Sequence, residues 1–71
     1  MTFEDFLTLI VQYDPAQRVG QFYMNMLVTI GREDLYKMVR DISEAPGGYP
    51  CDPFYSDHVL PVFFKVIEEN W

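Results

Sequence analysis

Residues Pro15 to Ile30, PAQRVGQFYMNMLVTI, carry the longest uninterrupted helical pattern in the chain. Val19, Phe22, Tyr23, Met26, Leu27 and Ile30 recur at i, i+3, i+4, i+7, i+8 and i+11, which gathers them on one face of an α-helix. Wound at about 100° per residue, the segment also aligns Arg18, Gln21, Asn25 and Thr29 as a polar stripe, with Met24 and Val28 as a smaller apolar patch beyond it. Apolar residues on both sides of a polar seam predict neighbours on more than one side. The rest of the chain must therefore wrap this helix.

With 71 residues there is material for one domain and one core, and a domain of this size buries only about 60% of the surface its unfolded chain exposes. Cys51 is the sole cysteine, so no intrachain disulfide can staple the fold and packing must supply a net of roughly 3–5 kcal/mol. A reducing, cytoplasmic setting is expected on that ground. Composition is equal to the task, because 49% hydrophobic and 17% aromatic residues set the chain apart from disordered sequences despite a net charge of -6. No apolar run approaches the ~18 residues of a membrane span. The acidic excess also argues against binding nucleic acid, which needs clustered Lys and Arg.

Along the chain, Thr2 is placed to cap a first helix, with Asp5 returning the favour in a capping box. Phe3, Phe6, Leu7 and Ile10 then form a core-facing stripe that Leu9 and Val11 broaden, up to a stop near Tyr13. Asp14 precedes a proline and reads as the cap of the central helix, with Pro15 at its first position. Gly31 supplies a break. A third helix over Arg32–Ile42 places Leu35, Met38, Val39 and Ile42 on one face. From Ser43 to Asp57, SEAPGGYPCDPFYSD cannot continue a helix and reads as an ordered loop, with Asp52-Pro53 opening a turn. Leu60, Phe63, Phe64, Ile67 and Trp71 make the stripe of a last helix, with Pro61 in its first turn. The predicted fold is all-α: one domain over residues 1–71, a compact bundle of about four short helices with a Pro/Gly/aromatic loop between the third and fourth.

Candidate chemistry is sparse. Cys51 and His58 are too few for a structural zinc site, which takes four ligands, and nothing around them suggests a nucleophilic pair with its oxyanion hole. No catalytic residue, metal or cofactor is therefore assigned, and an enzyme is not expected. Polar groups on a packed helix need partners, each costing about 1–3 kcal/mol if left without one. The loop is expected to fold over the stripe, Gln21 and Asn25 bonding its backbone and Arg18 pairing with Asp52 or Asp57. Tyr49, Phe54 and Tyr55 are candidate anchors for a partner. Glu4 and Asp5 at one end of the chain, with Glu68 and Glu69 at the other, are candidates for an acidic patch facing a basic protein surface.

Those motifs also carry a resemblance. TFEDFL at the start, Arg18-x-Gly20-Gln21 with Asn25 following, Asp52-Pro53-Phe54-Tyr55, and a Phe-rich final helix with Pro61, Phe63 and Trp71 resemble a family of small, acidic, mostly uncharacterised proteins of bacteriophages and bacteria. The segment APGGYPC before Asp52 is longer than in that pattern. The resemblance implies a phage or prophage gene acting in the host cytoplasm. It favours a non-enzymatic protein that binds and inhibits or modulates a host protein. A structural or assembly component that self-associates through apolar surface such as Met24 and Val28 is the alternative.

Overall fold

The computed structural model describes residues 1–71 and contains four α-helices and no strand. Thr2 starts the fold as expected: its hydroxyl accepts from the Asp5 N–H at 3.0 Å while the Asp5 carboxylate accepts from the Thr2 N–H at 3.2 Å. Helix α1 spans Phe3–Thr8 and tightens into a 3₁₀ turn over Leu9–Gln12. That tightening corrects one expectation. At about three residues per turn, the winding no longer follows the α-helical stripe, and Ile10 and Val11 lie exposed while Phe3 and Phe6 are buried.

The central helix begins at Val19, four residues later than Pro15 predicts. Asp14 caps a turn and no helix, accepting from the Ala16 N–H at 2.9 Å, with its carbonyl accepting from Gln17 N–H at 3.1 Å. Pro15 sits inside that turn, which suits its fixed φ. Helix α2 runs Val19–Thr29 with Arg18 at its N-cap, and the Gln21 side chain accepts from the Arg18 N–H at 3.1 Å. It ends at Gly31, whose φ of 82° is the left-handed conformation glycine adopts freely. There the Arg32 N–H reaches Leu27 O and the Gly31 N–H reaches Val28 O, the paired bonds of a Schellman ending.

Helix α3 spans Glu33–Glu44 and packs against both α2 and α4, the latter at Leu60–Glu69 after a 3₁₀ turn at Asp57–Val59. Pro61 lies in the first turn of α4, where its missing N–H costs nothing. Gly20, Phe22, Tyr23, Met24 and Leu27 of α2 are buried, so this helix is enclosed on more than one side. Met24 is fully buried, which corrects its place in an exposed patch; Val28 alone of that pair reaches solvent. Self-association through Met24 is closed off by the core it fills.

Aromatic rings join α1 to the rest. Tyr23 stands 5.3 Å from Phe6 and 5.1 Å from Phe64, and Trp71 stands 5.3 Å from Phe6 and 5.7 Å from Phe3. Each such pair contributes about 0.5–1.5 kcal/mol beyond its buried area. The Tyr23 hydroxyl donates to Leu7 O at 2.9 Å, and burial pushes its pKa up. The radius of gyration, 11.4 Å, matches the ~11 Å of a well-packed chain of this length. No helix is long and apolar enough to cross a membrane.

Candidate functional site

The loop between α3 and α4 is fixed at three points, by Ser43, by the missing side chain of Gly20 and by the guanidinium of Arg18. Ser43, in the last turn of α3, accepts through Oγ from the N–H groups of Cys51 at 3.0 Å and Asp52 at 2.8 Å. Asp52 then accepts from the Phe54 N–H at 2.9 Å, the turn that Asp-Pro predicts. Pro53 is fully buried against α2 at Gly20. Only glycine permits that approach, since a Cβ at position 20 would stand 2.0 Å from the Pro53 carbonyl oxygen.

Arg18 supplies the third point. Its guanidinium donates to Phe54 O, to Pro53 O at 3.3 Å and to the Asp57 carboxylate at 3.0 Å, and Asp57 also accepts from the Gly20 N–H at 2.9 Å. The expected loop contact is therefore made, by Arg18 with Asp57. Asp52 is engaged in its own turn. The rest of the expected network is corrected: Gln21 caps its own helix, Asn25 donates to the Gln17 side chain at 3.2 Å, and Thr29 bonds Asn25 O. The loop crosses α2 at its first turn, where the Gln21 side chain is already spent on the Arg18 N–H, and Asn25 lies a further turn along.

Locked in this way, the loop presents Tyr49 and Tyr55, which are 49% and 75% exposed. Phe54 does not join them; its ring is half-buried on the core and braces Tyr55 edge-on at 5.3 Å. Tyr49 overlooks a groove of about 520 Å³ along α4, formed with Val62, Lys65, Val66 and Glu69. Tyr55 borders a second cavity of about 300 Å³ shared with Glu44, Pro50, Asp52 and Val59.

The acidic candidates Glu4, Asp5, Glu68 and Glu69 are all exposed. Trp71 draws the two chain ends together, meeting Phe3 in a T-shaped pair and donating from Nε1 to Met1 O at 3.0 Å. Glu69 belongs to the Tyr49 groove, which connects the loop surface with the end of α4. Sequence reasoning missed Arg32 here. Its guanidinium lies 5.1 Å over the Trp71 ring and donates to Trp71 O at 2.7 Å and Asn70 O at 3.4 Å. Asp34 holds it from the other side at 3.1 Å, and that bond pulls the Asp34 carboxyl below its usual range. A cation at the N-terminus of α3 opposes that helix dipole, and this misplacement was the signal that Arg32 serves the carbonyl end of another helix.

Cys51 and His58 are not brought together as a working pair. The Cys51 thiol is buried and donates to Val39 O at 3.4 Å, and burial pushes its pKa up, with the Ser43 hydrogen bond opposing and Asp52 adding to the rise. A thiol held protonated is a poor nucleophile. His58 is exposed in the 3₁₀ turn before α4, its N–H bonded to Ser56. No three His, Cys, Asp or Glu side chains are grouped to hold a metal ion. No family model matches the chain, nor does any curated protein or solved structure.

Proposed function

We propose that the protein is a non-enzymatic protein-binding module, a phage-encoded inhibitor or modulator of a host protein, acting in the host cytoplasm. It docks through Tyr49 and Tyr55 and the acids beside them. The observation that carries this reading is the contrast within one loop: a backbone tied down by Arg18, Ser43 and buried Pro53, and two tyrosine rings left facing solvent. Interface energy concentrates in such aromatic anchors, and a loop whose backbone is ordered in advance spares the complex the cost of ordering it on association. The net charge of -6 speeds encounter with a basic surface. The phage setting rests on the motif resemblance.

The test is affinity capture from a bacterial host with the tagged protein, beside a Tyr49→Ser/Tyr55→Ser variant whose fold is checked by circular dichroism. A host protein recovered in stoichiometric amount by the native chain and lost by the variant is the expected result. Equal recovery by both, or no stoichiometric partner, would sink the reading.

A further inference from the structure

We propose that the cavity between the end of α3 and the Tyr55 turn seats an arginine side chain of the protein partner. This inference rests on the protein-binding reading and gives that partner a chemistry. The cavity, about 300 Å³, is at the small end of ligand sites, which run roughly 300–1,000 Å³. It suits one long side chain better than a folded element.

Its walls select a planar cation. Asp52 enters with one carboxylate oxygen already held by the Phe54 N–H at 2.9 Å. Its second oxygen takes no hydrogen bond within the chain, so the carboxylate is both oriented and available. Glu44 adds a second negative charge, of which one oxygen is taken by Arg40 at 3.3 Å. The Tyr55 ring is exposed, with Phe54 beside it at 5.3 Å in a T-shaped pair, and is open to cation–π stacking. Pro50 and Val59 supply apolar surface for methylene groups. A carboxylate beside an aromatic face fits a guanidinium, which stacks and bonds through its edge together; an ammonium offers only a point charge.

The arginine comes from another protein. No Lys or Arg of this chain lines the cavity, and its three arginines are already paired, with Asp57, Asp34 and Glu44. A second copy of the chain would have to give up one of those pairs to offer a guanidinium.

The experiment is an amide NMR titration of the full chain with the peptide acetyl-Gly-Arg-Gly-amide and with its citrulline counterpart, which keeps the shape and removes the charge. Saturable shifts at Asp52, Tyr55, Ser56 and Val59 are expected with arginine in the millimolar range, and binding about tenfold weaker with citrulline. Asp52→Asn should give a similar loss while the Phe54 N–H keeps its acceptor, so the turn survives. Equal binding of the two peptides, shifts scattered over Glu4, Asp5, Glu68 and Glu69, or no saturation would overturn the assignment. If host-protein capture depends on Tyr55 while these peptides fail, the arginine assignment falls and the binding reading stands. If the peptide seats in the cavity and no host protein is captured, the reverse holds.

Discussion

Gly20→Ala tests the packing of the loop on α2 because two effects of opposite sign meet there. At an ordinary helical position the exchange stabilises by about 1 kcal/mol. Here the new Cβ would lie 2.0 Å from Pro53 O, 2.7 Å from Asp57 Oδ1 and 2.8 Å from Pro53 C. Two of those atoms are backbone, so no rotamer change relieves the clash. The loop must withdraw by about 1 Å to reach even the 3.0 Å limit of real Cβ contacts. That shift breaks the 2.9 Å bond from Gly20 N–H to Asp57 and the 3.3 Å bond from Arg18 to Pro53 O, and weakens the Arg18–Asp57 pair. Three polar contacts at about 1 kcal/mol each, the ion pair being partly exposed and worth no more than that, outweigh the helix gain. The net is about 2 kcal/mol of destabilisation, a fall in melting temperature of roughly 8–16 °C for a domain of this size. Urea and thermal unfolding give the magnitude, and hydrogen exchange at Phe54–His58 locates it. A variant more stable than the native chain, with unchanged protection there, would refute the reasoning.

Arg18→Gln should cost about 1–2 kcal/mol and raise exchange at Phe54, whereas Asn25→Ala, at an exposed position whose side chain bonds only Gln17, should stay within about 0.5 kcal/mol in urea unfolding. Ser43→Ala strips the Cys51 and Asp52 N–H groups of their acceptor, so a loss of about 2 kcal/mol is expected by the same measurement. Burial raises the Cys51 pKa above its unfolded value, so the unfolded chain releases that proton first. Its stabilising contribution is complete below the unfolded thiol pKa of about 8.5 and is lost as pH rises through the folded value. Unfolding free energy measured from neutral to alkaline pH should fall less steeply in Cys51→Ala than in the native chain. Reaction of Cys51 with a thiol reagent should accelerate with urea, because access requires opening.

The four helices were legible because each carries its own local determinants: the Thr2–Asp5 cap, the Gly31 ending, the position of Pro61, and apolar periods over α3 and α4. These are interactions among residues within about four positions of each other, and a sequence displays them directly. The ordered loop and its tie to Arg18 were also legible, since a polar group on a packed helix needs a partner and few were on offer, but the choice of Asp57 over Asp52 was not. Tertiary structure alone decided the rest. Met24 became core because the face of α2 that local periodicity ranked second is also covered, and which faces are covered depends on where the other helices lie. Gly20 and Ser43 look ordinary in sequence; one acquires its role from a backbone oxygen of Pro53, the other from two amides eight and nine residues away. Arg32 reaches Trp71 across 39 positions. Tyr49, Phe54 and Tyr55 were equal candidates as aromatic letters, and only the packing of the loop turned Phe54 toward the core and left the two tyrosines exposed. Burial belongs to the assembled fold, so the chain determines its helices from neighbour to neighbour and its exposed loop surface only when the loop closes on α2.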